Sequence, residues 1–230
     1  KWFDSVDQNT ANYLRNNADK LLLKNEDPIW SESKIVKFEN EDYINPTNAD
    51  ELFDICTNKL LDIKEDLETA DYSPKGLYQH LLTGKGEKFK LNKEEYFQKY
   101  ILMEIRRVSN KLYSAVREPE VANRKKPDLQ IWNKSWCVNI ECKIADNWTF
   151  KELKVAITKQ LVGRYLKHPK YRHGIFLVAR IKQKKWSGLD FDALILKLQE
   201  HANSVINNCG FDHIKAIKVI GIDYSSDKES

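Results

Sequence analysis

A nearly continuous apolar run, Gly174–Ile181, constrains the fold of this chain more than any other feature of the sequence. Successive side chains of a strand point to opposite faces, so an apolar residue at nearly every position predicts a strand that is covered on both sides. Such a strand lies inside a sheet that carries helices on both faces. The run therefore predicts an α/β or α+β architecture.

Two further strands are predicted before this run, close enough in sequence to form a hairpin. Residues 127–132 alternate between apolar and polar side chains, residues 133–135 have the composition of a turn, and residues 136–143 form the second strand. Further along the chain, the apolar periodicity predicts helices and one last strand, over 150–167, 190–205 and 214–224.

A long helix is predicted before the hairpin, with Asn92 as its N-cap. Its apolar face is formed by Phe97, Ile101, Ile105, Val108 and Leu112. A short strand follows and ends near Val121. Helix, three strands, helix, strand, helix and strand is the predicted order of elements in this part of the chain.

The chain is predicted to divide at the polar, glycine-containing stretch 83–88. Residues 1–88 then form a small helical segment, with helices over 10–24 and 51–67, and residues 89–230 form the sheet domain. The chain begins with Lys1 and not with Met, which is typical of a piece of a longer protein. A processed or trimmed N-terminus is the alternative explanation. If the chain is a piece of a longer protein, upstream domains of the parent chain are its expected partners.

Composition excludes several classes of protein. Hydrophobic residues make up 41% of the 230 residues, which is too many for a disordered chain. No apolar run approaches the roughly 18 residues of a membrane span. The four cysteines form no CxxC pair, so free thiols and a cytoplasmic location are expected. The net charge of +4 permits a nucleic-acid partner without requiring one.

Two acidic residues and a lysine are predicted to converge on the hairpin. Glu141 and Lys143 lie two positions apart on one strand and share a face, and the hairpin can bring Asp128 against them. The two carboxylates and the backbone carbonyl of Cys142 suit Mg²⁺ or Mn²⁺, and the lysine can orient a water or stabilise charge on a phosphate. The alternative is a set of solvated ion pairs on a sheet face.

This pattern resembles the PD-(D/E)xK nuclease superfamily, whose signature is Pro-Asp on one strand and acidic-x-Lys on the next. Residues 160–166, Gln-Leu-Val-Gly-Arg-Tyr-Leu, resemble the QLxxxYL helix of one branch of that superfamily. Residues 117–121 resemble the strand before the aspartate, and residues 171–178 the fourth core strand. The resemblance covers about residues 90–225 and implies a restriction-endonuclease-like mixed sheet flanked by helices, preceded here by the small helical segment.

The resemblance implies a metal-dependent endonuclease that hydrolyses phosphodiester bonds, with DNA as its first candidate substrate. Asp128, Glu141 and the Cys142 carbonyl would hold the metal, Lys143 would position water, and Gln160 would line the site. The first core helix of the branch commonly adds an acidic residue. Glu94 is chosen here because it shares a face with the apolar side chains, and Glu104 is the alternate.

Such domains often form the C-terminal part of large prokaryotic proteins linked to defence against mobile DNA, which suggests the same setting here. Double-strand cleavage by one-site domains usually needs two copies, so a homodimer or higher oligomer is a further expectation. Three alternatives stay open. The domain could bind nucleic acid without cutting it, act on RNA, or serve protein interaction alone.

Basic residues gather around the same elements, as expected for contacts to backbone phosphates. Tyr165 is either a packing residue or a phosphate hydrogen-bond donor, and Trp186 either stacks on a base or closes the core. The cations assigned to nucleic acid are Arg124, Lys125, Lys126, Lys159, Arg164, Lys184 and Lys185.

Overall fold

The structure, a computed structural model, describes residues 46–69, 94–107, 109, 113–117 and 127–225. All of these belong to one compact unit. Several predicted features lie outside the described residues, namely the helix over 10–24, the division at 83–88, the cap at Asn92, and the cations Arg124, Lys125 and Lys126.

Five strands form one mixed sheet in the order β1–β2–β3–β4–β5, which is also their order in the chain. The pairs β1–β2 and β2–β3 are antiparallel, and the pairs β3–β4 and β4–β5 are parallel. The predicted hairpin is confirmed as the β2–β3 pair. The strands are β1 (Ser114–Arg117), β2 (Leu129–Asn133), β3 (Trp136–Ile144), β4 (His173–Arg180) and β5 (Ala216–Asp223).

Helices cover both faces of the sheet. One layer consists of α1 (Ala49–Thr69) and α2 (Glu94–Arg107), and it packs on a sheet face that includes Ile140 and Leu177. The other layer packs on the face that includes Phe176 and Val178. It consists of α3 (Phe150–Val155), a π-helix (Ala156–Tyr165) and α4 (Phe191–Asn208).

The central strand β4 is buried at every position except its last. Its side chains alternate between the two apolar clusters, so each helical layer contacts it. The prediction of a doubly covered strand is confirmed. The molecule is an α/β protein with a five-stranded mixed sheet flanked by helices.

Side-chain caps fix where two of the helices begin. Asn48 Oδ1 accepts the Glu51 backbone N–H at 2.9 Å, at the start of α1. Asp190 Oδ1 accepts the Ala193 N–H at 2.8 Å, at the start of α4. Both residues satisfy a backbone donor that a helix leaves free in its first turn. The sequence predicted α1 from residue 51 and α4 from residue 190, close to where these caps begin the helices, because a helix start depends on local sequence.

The helix predicted over 150–167 is an α-helix only as far as Val155. Beyond it the hydrogen bonds widen to five residues, as in the bond of 2.9 Å from the Leu166 N–H to the Leu161 carbonyl. Thr158 Oγ1 donates to the Lys154 carbonyl at 3.1 Å, a side-chain bond of the kind that disturbs an α-helical ladder. The prediction of a uniform α-helix is corrected accordingly.

The first described helix packs within the sheet's own core. The division predicted near residue 88 assigns α1 to a separate helical segment, whereas Leu52, Cys56 and Leu60 are buried in the cluster that covers β3 and β4. At the other end of the contact, Asp50 Oδ1 lies 2.8 Å from His173 Nε2 on β4. The sheet's apolar face is therefore closed by a helix from the N-terminal side of that predicted division.

All four cysteines are free thiols, and three of them are buried. None of the helices in the described part of the chain combines the length and the apolar character needed to cross a membrane.

Candidate active site

The register of the β2–β3 hairpin brings the two predicted carboxylates together. It pairs Leu129 with Ile140, so Asp128, one residue before β2, lies opposite Glu141. The Asp128 carboxylate accepts the Cys142 backbone N–H at 2.8 Å, which ties it to β3 beyond the last ladder pair. Alternation along β3 places Glu141 and Lys143 on one face, as predicted.

The Lys143 ammonium is the centre of this cluster. Its Nζ lies 2.6 Å from Glu141 Oε1, 3.2 Å from the Cys142 carbonyl oxygen and 3.4 Å from Glu94 Oε2. The side chains of Lys143 and Glu141 are only 5% and 3% exposed. These values distinguish the cluster from the solvated ion pairs that were the alternative.

Glu94, the first residue of α2, reaches this cluster, and the alternate Glu104 does not. The Glu94 carboxylate also accepts the Trp148 indole N–H at 2.8 Å, and the Lys143 ammonium lies 5.2 Å from the Trp148 ring centroid. Glu104 pairs instead with Arg107 on its own helix, at 2.8 Å. The structure thus gathers Asp128, Glu141, Lys143 and Glu94 in one place.

Burial and mutual repulsion make the carboxylates of this cluster hard to ionise. Burial, followed by the negative charge of Glu141, raises the pKa of Asp128 to about 7. Burial also raises the pKa of Glu141, and the neighbouring Lys143 offsets only part of that rise. One ammonium serves three carboxylates, so two negative charges are uncompensated within the cluster when all three are ionised.

Lys143 is held in its charged form. Burial acts to lower the pKa of its ammonium, but the charges of Glu141, Asp128 and Glu94 outweigh burial and raise it above its ordinary value. A lysine in this state donates hydrogen bonds and stabilises negative charge. This state suits a hydrogen-bond donor to negative charge better than a general base.

The donor atoms suit a hard divalent cation. Mg²⁺ takes oxygen ligands and is commonly held by one or two carboxylates together with water and substrate phosphates. Asp128, Glu141 and the Cys142 carbonyl supply such oxygens, and Glu141 Oε2 is buried without a hydrogen-bond partner among the described residues. No group of three or more His, Cys, Asp or Glu side chains able to hold a metal occurs in that part of the chain. These oxygens therefore suit a cation that is bound by two carboxylates together with oxygens of water and substrate, and not a cation fully enclosed by protein ligands.

Gln160 and Tyr165 lie about one turn apart on the π-helix, whose hydrogen bonds join residues five apart, and Tyr165 neighbours Glu141. The sequence, assuming an α-helix, did not place them on one face. Tyr165 is 7% exposed, and its phenol favours the charged form of Glu141. Burial raises the pKa of Tyr165, so the phenol keeps its proton. Gln160 Oε1 is buried and has no hydrogen-bond partner within the described segments.

The remaining predicted contacts to nucleic acid differ in where they lie. Lys159, Arg164 and Lys185 are exposed. Lys184 is half-buried and donates to the Asp146 and Trp148 carbonyls at 2.9 and 3.2 Å, so it holds the loop that carries Trp148.

Trp186, for which the sequence left two roles open, is a core residue. It is 2% exposed, and its indole N–H lies 3.1 Å from the Ala145 carbonyl oxygen. It therefore closes the core beneath the loop after β3.

Sequence reasoning missed a buried polar chain next to these carboxylates. Gln130 and Asn139 are each 1% exposed and share a hydrogen bond of 2.6 Å, while Gln130 Oε1 accepts the Trp132 indole N–H at 2.7 Å. Asn139 Nδ2 donates to the Tyr165 carbonyl at 3.4 Å. The signal was present, because Asp128, Gln130 and Trp132 follow the period of two that marks one strand face.

Trp148 was missed too, and no comparable signal points to it. It lies in a loop, outside any helical or strand period.

Comparison of the chain with protein-family models, with curated protein sequences and with solved structures gave no match.

Proposed function

We propose that this chain is a metal-dependent endonuclease of the restriction-endonuclease-like fold that hydrolyses phosphodiester bonds, with DNA as its substrate. The observation that carries the proposal is the convergence of Asp128, Glu141 and Glu94 on the single ammonium of Lys143. A site with surplus negative charge and buried carboxylate oxygens attracts a divalent cation. A site that only stabilised the fold would have no use for uncompensated carboxylates.

The roles of the residues follow from their surroundings. Asp128 and Glu141, with the Cys142 carbonyl, would hold Mg²⁺ or Mn²⁺, which supplies the Lewis acidity for attack on a phosphodiester. Lys143 stays protonated and donates a hydrogen bond to the attacking water or to a phosphate oxygen, where negative charge develops. Glu94 and Trp148 hold the lysine in place.

The π-helix contributes to the same site from the other side. Tyr165 keeps its proton and stabilises the ionised form of Glu141. Gln160 offers an unpartnered amide oxygen, which can accept a hydrogen bond from water or substrate. The setting in a larger prokaryotic defence protein rests on the resemblance alone and stays a prediction.

Cleavage of supercoiled plasmid DNA by the purified chain tests the proposal. We expect nicking or linearisation with Mg²⁺ or Mn²⁺ and none with EDTA. Lys143→Ala and Asp128→Ala should each lower the rate by about a hundredfold or more, because the first removes charge stabilisation at the reacting phosphate and the second a metal ligand. Lys218→Ala, an exposed lysine on β5, is the matched control and should cleave normally.

Two glutamates of α2 provide a sharper comparison. Glu94→Gln should reduce cleavage, whereas Glu104→Gln should leave it unchanged, since only the first carboxylate reaches Lys143. Circular dichroism checks that the variants are folded. Full activity of Lys143→Ala would rule out the proposed mechanism. Nucleic-acid binding that does not depend on metal, without any cleavage, would favour a binding module. Cleavage of RNA but not of DNA would make RNA the substrate.

A further inference from the structure

A group of aromatic and basic side chains lies at the end of β2 away from Asp128. We call Trp132, His168, Lys170 and Tyr171 the Trp132 surface. The Lys170 ammonium lies 4.8 Å from the Trp132 ring centroid, and the Tyr171 ring meets the indole edge-on, with centroids 6.4 Å apart. His168 and Lys170 are exposed, and Trp132 and Tyr171 are partly exposed. An exposed lysine thus lies over the face of a partly exposed indole.

The charge around this surface suits a polyanion. Residues 159–173, which run from the π-helix to the start of β4, contain five Lys or Arg residues and no Asp or Glu. Four of these cations are exposed, namely Lys159, Arg164, Lys167 and Lys170. Aromatic rings beside a track of cations are the combination that binds single-stranded nucleic acid, where bases stack and phosphates pair with the cations.

The Trp132 surface is held rigidly. In the 168–171 turn, the Tyr171 N–H donates to the His168 carbonyl at 2.8 Å and the Lys170 N–H donates to His168 Nδ1 at 3.2 Å. The indole is anchored by Gln130, whose amide is bonded in turn to Asn139. Little conformational freedom remains to be lost when a planar ligand stacks on the indole.

This surface also lies at a defined distance from the carboxylates. Trp132 and Asp128 share one face and are four residues apart along the strand direction, which corresponds to about 13 Å. A strand whose phosphate lies at Asp128 and Glu141 spans this distance within a few nucleotides by passing outside the buried Gln130 and Asn139. The buried chain through Asn139 ends at Tyr165, the residue that neighbours Glu141.

We propose that an unpaired base of the substrate strand stacks on Trp132, while Lys170 moves from the ring to an adjacent phosphate. The proposal rests on the proposed nuclease function and deepens it. It makes the substrate a nucleic acid that is single-stranded or open within a few nucleotides of the cleaved bond. Bases inside an intact duplex are stacked on each other and offer the indole no free face.

Fluorescence anisotropy with a labelled single-stranded oligodeoxynucleotide in EDTA tests the proposal without cleavage. The wild-type chain should bind this strand more tightly than a blunt duplex of the same sequence. Trp132→Ala should weaken single-strand binding about tenfold or more, and Trp132→Phe, which keeps an aromatic face, should weaken it far less. Lys170→Ala should reduce the slope of the logarithm of the binding constant against the logarithm of the salt concentration by about 1, as expected for the loss of one phosphate contact. Lys218→Ala is again the control.

The outcomes separate the two proposals. Suppose that Lys143→Ala abolishes cleavage while both Trp132→Ala and Lys170→Ala bind single strands like the wild type. The nuclease function is then supported and the base-stacking site is contradicted. If Trp132→Ala loses single-strand binding but the wild type does not cleave with any metal tested, the stacking site is supported and the nuclease function is contradicted. Equal affinity of the wild type for single strand and blunt duplex also overturns the stacking site. Lys170→Ala, at an exposed position, carries the test if Trp132→Ala does not fold.

Discussion

Lys143 differs from a solvated lysine in every aspect of its surroundings. It is almost fully buried, and its neighbours are two carboxylates, a carbonyl oxygen and an indole ring. Burying a charge is costly unless it is paired and hydrogen-bonded. The lysine satisfies that condition. The carboxylates around it outnumber it, however, and burial together with the charge of Glu141 raises the pKa of Asp128.

That raised pKa leads to a prediction about stability and pH in the absence of metal. Asp128 titrates near 4 in an unfolded chain and at about 7 in the folded one. The folded state therefore holds the extra proton between these values, and the wild type loses stability as pH rises from about 4 to about 7. Asp128→Asn cannot titrate and still accepts the Cys142 N–H. In EDTA, we expect the melting temperature of the variant minus that of the wild type to be larger at pH 8 than at pH 5.

Melting curves at several pH values check this expectation, and parallel curves for the two proteins would contradict it. Addition of Mg²⁺ at pH 8 gives a second measurement on the same samples. An ion that binds the folded state raises its melting temperature. The wild type should gain stability, and the variant, which lacks one carboxylate, should gain less.

At the scale of elements, the edge strand β5 is protected by side chains of its neighbouring helices. Gln199 on α4 donates to the Ile217 carbonyl at 2.9 Å and accepts the Val219 N–H at 2.8 Å. Glu68 on α1 accepts the Asp223 N–H at 2.9 Å. An uncovered edge is a template for pairing with another chain, so these bonds oppose association through β5.

Gln199→Ala should therefore have two effects. It leaves a buried N–H and carbonyl without their partner, which costs about 1–3 kcal/mol of the free energy of unfolding. It also opens the β5 edge to a second copy, so the variant should self-associate more at high concentration. Ser204→Ala, further along α4 and exposed, is the control and should change stability by less than about 0.5 kcal/mol.

Urea denaturation and analytical ultracentrifugation measure these two effects. A Gln199→Ala chain as stable as the wild type would show that water replaces the amide at no cost.

The whole molecule depends on strands that are shared between two apolar clusters. One cluster lies between the sheet and α1 and α2, the other between the sheet and α3, the π-helix and α4. Because β4 contributes alternate side chains to both, loss of packing on one face removes the support of the other. We therefore expect the described unit to unfold in a single cooperative transition.

Phe176→Ala tests this coupling. Phe176 is fully buried in the cluster under α4, and its truncation should cost about 3–5 kcal/mol. Leu196→Ala, on the same helical layer but 63% exposed, should cost little. Far-ultraviolet circular dichroism and tryptophan fluorescence should give coincident urea transitions for both variants. A separate, unshifted transition for part of the helical signal would contradict the coupling of the two clusters.

Much of the architecture could be predicted from the sequence because its signals are local. Apolar residues throughout β4, the alternation along β2 and β3, and caps at Asn48 and Asp190 each depend on residues a few positions apart. The same alternation was sufficient to place Glu141 and Lys143 on one face. The antiparallel hairpin then put Asp128 opposite Glu141.

Other features were decided only by the tertiary structure, because their partners are distant in sequence. The contact of Glu94 with Lys143 spans 49 residues and that with Trp148 spans 54, so helical periodicity could place Glu94 on the apolar face but could not identify these partners. By itself the sequence determined the sheet, its covering helices and the face that carries the acidic residues. Tertiary packing decided which charges surround Lys143, since burial and long-range pairing set their free energy.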